Sequence, residues 1–369
     1  MMNIAIVCFS KYQLMNIINY VNKYDIENNK IDLFIYHKVL TDNELYKLKE
    51  LHLFTNIILY KDSDNCFILK KILFRIKGII NPLFLIKQLL FNKADIDIIS
   101  ERYDECIFSF QFMLSIAICF MTNKNNIYMI EDGAVSYFSY NIEDRFLTNL
   151  FYSVLGHKLT KIKPTKLYVN NRSLVIDEVS TCFDEVLELD LIGEKLFNTF
   201  CYLFNCDKDS LDDYKDYKII YFNQPNDFKI KNYAIIEDSI CSILKKYKSS
   251  LYRLHPRTKR IISNIDSVDI DKSISMWDLS SKSISNDIIL ISSFSTALFT
   301  PKLLFNKEPY LIFTFCLYDN FFKNKNIINN LYKFIDRFKN SYCDKNKLCI
   351  IRDINELNSI IDKYYSYIN

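Results

Sequence analysis

Short apolar runs alternate with segments of helical periodicity along the first half of the chain. Patterns typical of amphipathic helices appear at residues 12–24 and 42–51, and another helix is predicted to end near residue 121. Apolar strands separated by helices are typical of a parallel sheet covered on both faces. The predicted strands of this half lie at residues 3–9, 31–36, 56–60, 105–109 and 126–130.

The same alternation returns in the second half, after a polar and charged stretch at residues 206–214. Helices are predicted at residues 233–247 and 354–367. Predicted strands lie at residues 218–222, 250–254, 287–291, 311–315 and 348–352. The pattern therefore predicts an α/β protein with two Rossmann-like domains. The predicted divisions are an N-terminal domain at 1–190, a connection at 191–216, a C-terminal domain at 217–352 and a closing helix at 353–369.

Composition narrows the class of protein. Half of the 369 residues are hydrophobic and a quarter are charged, which fits a globular chain with a sizeable core. The net charge is only +3 and gives no reason to expect a nucleic-acid partner, which usually requires a concentrated basic surface. Eleven cysteines without CxxC spacing, and only four histidines, predict reduced thiols in a cytoplasmic protein without a zinc site.

Three predicted strand ends carry polar groups, and the first of them is acidic. Glu131, Asp132 and Gly133 follow the run at 126–130 directly. Ligands bind beyond the carboxyl ends of strands in open parallel sheets, and glycine permits a tight turn and close approach of a ligand. The alternative is a solvated acidic turn.

The second strand end carries His255, Pro256 and Arg257 after the run at 250–254. Histidine can donate to a phosphate or give a proton near neutral pH, and the neighbouring arginines favour an anion. The alternative is a structural or merely exposed histidine.

The third strand end carries Ser292, Ser293, Ser295 and Thr296 after the run at 287–291. Hydroxyl and backbone N–H groups at the start of a helix can hold a phosphate. The same residues can instead cap the helix, and both functions are compatible.

The order of these motifs resembles the bacterial sialyltransferases, which share an acidic-Gly motif, a His-Pro motif and a serine-rich motif. Chain length, Glu131-Asp132-Gly133, His255-Pro256-Arg257 and the stretch at 292–298 look most like glycosyltransferase family 52. That resemblance implies a GT-B-type fold, with two Rossmann-like domains whose parallel sheets face a central cleft. It also implies inverting transfer of sialic acid from CMP-sialic acid to a galactoside hydroxyl of a lipooligosaccharide or capsular glycan, without a metal or other cofactor.

The resemblance further implies roles for individual residues. Asp132 is the preferred catalytic base, and Asp227, which follows the run at 218–222, is held beside it. His255 is predicted to be catalytic as a donor to the departing phosphate, and Glu131 and Gly133 are predicted to lie on the acceptor side. The residues predicted to bind the CMP donor are His255, Pro256, Asp278, Ser292, Ser293, Ser295 and Thr296.

A basic stretch at residues 66–93 contains lysines and an arginine among apolar residues, and no acidic residue. A basic amphipathic helix predicts contact with an anionic membrane surface or a lipid-linked acceptor, peripheral to the inner face of the plasma membrane. An ordinary core-facing helix with a solvated basic face is the alternative. A homodimer is left open.

Two rival functions remain open at this point. One is a GT-B transferase that uses another nucleotide sugar, and the other is a non-catalytic protein of the same fold that binds a sugar or nucleotide. Two Asp-x-Asp stretches, at 95–97 and 269–271, are interpreted as chance matches to a metal-binding motif.

Overall fold

The computed structural model describes residues 1–22, 28–61, 81–109, 113–140, 163–224, 230, 232–255, 269–270, 276–319, 321 and 324–368. The chain divides into two compact units, Met1–Asp190 (unit 1) and Leu191–Asn369 (unit 2). Residues 191–216, the predicted connection, contain two helices and lie in unit 2.

Unit 1 is built on a parallel sheet of seven strands within the described residues. Its strands are β1 (Met2–Cys8), β2 (Asn29–Tyr36), β3 (Asn56–Tyr60), β4 (Glu105–Phe108), β5 (Ile127–Ile130), β6 (Lys166–Val169) and β7 (Glu185–Glu188). Its helices are α1 (Lys11–Val21), α2 (Asp42–Glu50), α3 (Pro82–Leu89), α4 (Met113–Phe120) and α5 (Asp177–Ser180). The strand order is β3-β2-β1-β4-β5-β6-β7.

Local sequence explains where the first two helices begin. Ser10 caps α1, because its hydroxyl accepts a hydrogen bond from the backbone N–H of Gln13. Thr41 and Glu44 form a capping box at the start of α2. Both caps satisfy N–H groups that a helix leaves without partners at its first turn.

The longest apolar stretch of the chain, near residues 106–121, forms two short elements. β4 ends at Phe108, and α4 begins at Met113. Among the residues that the structure describes, no helix combines the length and apolar character required to cross a bilayer.

Unit 2 contains a six-stranded parallel sheet within its described residues. The strands are β8 (Ile219–Phe222), β9 (Ser250–Arg253), β10 (Asp269–Ile270), β11 (Ile289–Ser292), β12 (Tyr310–Phe313) and β13 (Leu348–Ile350). The helices are α6 (Glu194–Leu203), α7 (Lys208–Leu211), α8 (Tyr233–Leu244), α9 (Trp277–Ser280), α10 (Thr296–Phe305), α11 (Lys325–Asn340) and α12 (Ile354–Ile368). The strand order is β10-β9-β8-β11-β12-β13.

The central strands of unit 2 are buried along their whole length. Every residue of β8, β11 and β12 is buried, as expected for parallel strands covered by helices on both faces. α10 ends at Phe305, and the next residue, Asn306, adopts the left-handed conformation (φ 53°) common just beyond helix C-termini.

Both sheets reverse their strand order beside their first strand. In unit 1 this point lies between β1 and β4, and in unit 2 it lies between β8 and β11. Open parallel sheets bind ligands at such points, beyond the carboxyl ends of the strands. The prediction of two Rossmann-like parallel sheets is confirmed, and polar residues at these strand ends are therefore the ones to examine.

Candidate functional site

The acidic motif lies on a tight turn directly after β5. Gly133 has φ 97°, a conformation that L side chains rarely adopt, so a glycine is required there. A single 3₁₀ turn, Ala134–Tyr137, follows it. The backbone N–H of Asp132 donates to the Ser136 hydroxyl at 2.9 Å, which fixes the direction of the turn.

Glu131 points into unit 1 and has no exposed surface. Its carboxylate accepts hydrogen bonds from the hydroxyls of Tyr12 and Tyr137 and, at 2.7 Å, from the backbone N–H of Asn170. Burial raises the pKa of Glu131, and these donors oppose that rise. The carboxylate thus joins α1 to the ends of β5 and β6. Its contacts within unit 1 give it a structural role, and the predicted place of Glu131 and Gly133 on the acceptor side stays a prediction.

Asp132, in contrast, is exposed. Gln13 Nε2 donates to Asp132 Oδ1 at 2.6 Å, and Gln13 Oε1 accepts from the backbone N–H of Phe9 at 2.6 Å. Protein atoms crowd the Asp132 carboxyl although part of it reaches the surface. The resulting loss of hydration, with a smaller contribution from the Glu131 charge, raises its pKa to about 6. We call Gln13, Glu131, Asp132 and Gly133 the Asp132 site.

The Asp132 site extends across the reversal of strand order in unit 1. Gln13 follows β1 and Asp132 follows β5, and β4 lies between these strands. Ser109, directly after β4, is buried, and its hydroxyl has no hydrogen-bond partner among the described residues. The Gln13–Asp132 hydrogen bond therefore joins the first turn of α1 to the turn after β5, across β4.

In unit 2, Asp278 lies beside the first turns of α10. The indole N–H of Trp277 donates to the Ala297 carbonyl at 2.9 Å, which fastens α9 to α10. The Thr300 hydroxyl lies 3.3 Å from Asp278 Oδ1 and 3.1 Å from the Thr296 carbonyl oxygen. These contacts bring two of the predicted donor-binding residues, Asp278 and Thr296, to one place.

An arginine, Arg253, lies close enough to Asp278 for its charge to act on the carboxyl. Burial raises the pKa of Asp278 to about 6, while the charge of Arg253 and the Thr300 hydroxyl oppose the rise. Arg253 is the last residue of β9, and its guanidinium lies 5.2 Å from the centre of the Tyr214 ring. We call Arg253, Asp278, Ser295, Thr296 and Thr300 the Asp278 site.

The serine-rich motif divides into two parts. Ser292 and Ser293 are buried, and the Ser292 hydroxyl donates to the Phe222 carbonyl at 2.8 Å, across the reversal of strand order. Ser295 caps α10, since its hydroxyl accepts from the Ala297 N–H at 3.3 Å. The helix-capping alternative is therefore correct for Ser295, and the Ser292 hydroxyl is held within the sheet.

Of the three remaining predicted residues, the structure describes only His255. His255 follows β9 by two residues and is half-buried. Pro256 and Asp227 lie outside the described residues. The predicted roles of His255, Pro256 and Asp227 stay predictions.

A second buried glutamate supports the chain that follows β8. Glu237 has no exposed surface and accepts hydrogen bonds at 2.5 Å from the hydroxyls of Tyr221, Tyr252 and Tyr318. Asn223, directly after β8, also donates to it at 3.0 Å. Burial raises the pKa of Glu237. Each unit thus contains a carboxylate, buried among tyrosines, that holds a strand end in place.

Sequence patterns missed the partners of both Asp132 and Asp278. Gln13 and Thr300 lie on helices and belong to no motif, so only the fold shows that they contact Asp132 and Asp278. A polar residue in the first turn of a helix that follows a central strand is the signal that could have indicated Gln13.

No protein-family model matches the chain, and no curated protein matches its sequence. Solved structures do resemble it. The glycotransferase of kitacinnamycin is 8% identical, with 99% of this chain and 91% of that chain covered and a TM-score of 0.55. The UDP-GlcNAc 2-epimerase of Methanocaldococcus jannaschii is 10% identical, with 98% and 92% covered and a TM-score of 0.53.

A third similar structure is the GT-B domain of a sialyltransferase from Photobacterium damselae. It is 10% identical, covers 95% of this chain and 100% of that chain, and has a TM-score of 0.50. At such identities the likeness concerns the fold alone. The predicted GT-B-type fold is therefore confirmed, and the finer resemblance to glycosyltransferase family 52 stays a prediction.

Proposed function

We propose that the protein is a glycosyltransferase that moves a sugar from a nucleotide-sugar donor to an acceptor hydroxyl. The finer proposal, from the three motifs and their order, is transfer of sialic acid from CMP-sialic acid to a galactoside hydroxyl. The observation that carries the proposal is the Asp132 carboxylate, which is exposed, oriented by Gln13 and has a pKa of about 6. A general base works best when its pKa lies near the working pH.

The Asp132 site accounts for the removal of a proton from the acceptor. At neutral pH the carboxylate is ionised, because its pKa of about 6 lies below that pH. Gln13 donates to Oδ1, which leaves Oδ2 to accept the proton of the acceptor hydroxyl. As this proton moves to Asp132, the acceptor oxygen forms a bond to the anomeric carbon of the donor sugar. The bond from that carbon to the phosphate oxygen breaks, and the nucleotide leaves.

The Asp278 site supplies groups for a nucleotide. A carboxylate can accept hydrogen bonds from ribose hydroxyls, and the guanidinium of Arg253 and the positive end of the α10 helix dipole favour a phosphate. His255, two residues beyond Arg253, is proposed to donate a hydrogen bond to the departing phosphate. A nucleoside monophosphate leaves with a single phosphate to stabilise, so the proposed reaction proceeds without a metal.

Thermal-shift titration separates the candidate donors. Ligand binding to the folded state raises the melting temperature by mass action. We expect CMP to stabilise the protein and UDP to leave the melting temperature unchanged. Stabilisation by UDP alone would favour another nucleotide-sugar donor, and the absence of a shift with either nucleotide would count against the Asp278 site as a donor site.

A transfer assay tests the reaction itself. CMP-sialic acid is incubated with a panel of galactosides, with and without EDTA, and the products are analysed by mass spectrometry. We expect a sialylated galactoside in both conditions and its loss in His255→Ala. CMP binding without transfer or donor hydrolysis, for every acceptor tried, would instead support a non-catalytic nucleotide-binding protein.

A further inference from the structure

α3 presents an aromatic and basic face to solvent at the edge of unit 1. Phe84, Lys87 and Gln88 are all exposed and lie three and four residues apart, so they share one side of the helix. Leu85, Ile86 and Leu89 are buried on the other side. The buried side of α3 thus packs against the core of unit 1, and Phe84, 41% exposed, lies on the solvent-facing side.

A second exposed aromatic ring follows the helix. Phe91 is 57% exposed although its ring stacks on His37, with centroids 5.4 Å apart. Its backbone N–H donates to the Leu59 carbonyl at 2.9 Å, so the ring projects from chain that is fastened to the edge strand β3. The position of Phe91 is therefore fixed by the fold.

Three lysines, Lys61, Lys87 and Lys93, lie near one another at the C-terminal end of α3. The Lys93 ammonium donates hydrogen bonds to the carbonyls of Lys87 and Gln88, so its charge lies at the C-terminal end of α3. Partial burial and then the charges of Lys61 and Lys87 lower the pKa of Lys93. Between Asn81 and Lys93 every charged residue is a lysine, and the acidic residues of this region begin at Asp95.

We propose that Lys61, Phe84, Lys87, Phe91 and Lys93, the α3 patch, bind the surface of an anionic lipid bilayer. Aromatic rings insert at the boundary between headgroups and acyl chains, and lysines are attracted to anionic headgroups. Exposed rings, together with the attraction between lysines and anionic headgroups, favour a lipid surface over a second copy of this chain. The described part of the basic stretch at 66–93 contributes to this patch, and residues 66–80 lie outside the described residues.

Cosedimentation of the full chain with vesicles tests the proposal. Vesicles of phosphatidylcholine alone are compared with vesicles that also contain phosphatidylglycerol, at low and high salt. We expect binding to the anionic vesicles only, and weaker binding at high salt. The double variant Lys61→Gln/Lys87→Gln should weaken that binding about thirtyfold. We expect the lysine variant to retain some binding at low salt, because its rings are unchanged. A second double variant, Phe84→Ser/Phe91→Ser, should show no binding under the same condition.

The matched control lies on another helix of unit 1. Tyr46 of α2 is 62% exposed and Lys49 is exposed beside it, but Asp42 and Glu50 occupy the same helix. Tyr46→Ser/Lys49→Gln should bind anionic vesicles as the unchanged protein does. Equal losses in the control and in the α3 patch variants would overturn the proposal, as would equal binding to both kinds of vesicle. Salt-independent dimerisation that the phenylalanine variant abolishes, without vesicle binding, would assign the patch to a second copy instead.

Discussion

Gln13 and Asp132 lie 119 residues apart in the sequence, yet the Gln13 amide donates to the Asp132 carboxylate at 2.6 Å. The Phe9 N–H holds the other end of that amide, also at 2.6 Å, so the amide cannot turn its oxygen toward Asp132 without losing both bonds. Gln13 is itself buried, which restricts its rotamers. One oxygen of Asp132 is thereby occupied, and the direction of the other is set by the fold.

The first prediction concerns Asp132 itself. Replacement by asparagine keeps the size of the side chain but removes the group that accepts a proton. We expect the turnover of Asp132→Asn to fall about a hundredfold or more, because general-base catalysis contributes about that much. CMP affinity, measured by calorimetry, should stay unchanged, since the predicted nucleotide groups lie in unit 2. Retained turnover in this variant, together with its loss in Asp227→Asn, would assign the base to Asp227.

The second prediction concerns the hydrogen bond from Gln13. It stabilises the ionised form of Asp132, so its removal raises the pKa of Asp132 above about 6. In Gln13→Leu the acidic limb of the profile of kcat/KM against pH should therefore move to higher pH. We expect a shift of about half a unit to one unit, because water reaches the exposed carboxyl and partly replaces the lost donor.

Asn19 provides the control for Gln13. It lies on the same helix, is buried, and donates to the Asp190 carbonyl at 2.7 Å, without a bond to Asp132. Asn19→Leu should lower stability but leave the pH profile in place. If both variants moved the acidic limb equally, the effect would come from general loosening of α1.

The strand ends were predictable from sequence because parallel strands leave a strong apolar pattern. β3 was predicted with its observed bounds, Asn56–Tyr60, and the acidic turn after β5 follows from the same pattern. β6 and β7 were missed, since neither is a continuous apolar run: β6 begins with Lys166, and β7 has charged residues at both ends. A short edge strand with half-exposed residues carries too few apolar positions to stand out.

Side-chain orientation was the part that the sequence could not supply. Glu131 and Asp132 are adjacent acids with the same pattern around them, and one is buried among tyrosines while the other is exposed. Successive residues leaving a strand point to opposite sides, so which acid faces inward depends on the register of β5 in the sheet. That register is set by strands far away in sequence.

The third prediction concerns the two buried glutamates. In Glu131→Gln and Glu237→Gln an amide NH₂ replaces an oxygen that accepts hydrogen bonds from tyrosines, so a donor faces a donor. Each variant should lose about 1–3 kcal/mol of unfolding free energy. Hydrogen exchange in peptides from β5 and β8 assigns each loss to unit 1 or unit 2.

Glu185 gives the matched surface control for these variants. Its side chain is 51% exposed and forms a 3.6 Å ion pair with Lys166, a contact of the kind that contributes little to stability. Glu185→Gln should change the unfolding free energy by less than about 0.5 kcal/mol. A similar change in all three variants would contradict the structural role assigned to Glu131 and Glu237.

The last prediction uses Asp278 and its neighbour Trp277, which is the single tryptophan of the chain. The pKa of Asp278 is raised from 3.8 to about 6, so between these values folded unit 2 binds more protons at this residue than the unfolded chain does. The contribution of Asp278 to the unfolding free energy therefore falls as pH rises from 3.8 to about 6, and it is constant above that range. Asp278→Asn removes this contribution, so the difference between the two proteins should change across this window only.

Urea unfolding followed by Trp277 fluorescence measures that difference at several pH values. Subtracting the curve of Asp278→Asn from that of the unchanged protein cancels the other carboxyls, which titrate in both. Asp287→Asn is the control, because Asp287 is exposed in the same unit and its replacement removes the same charge. Parallel pH curves for the unchanged protein and Asp278→Asn would mean that Arg253 fully compensates the burial of Asp278. Asp278 would then be ionised in the whole window and available to a ribose even in mild acid.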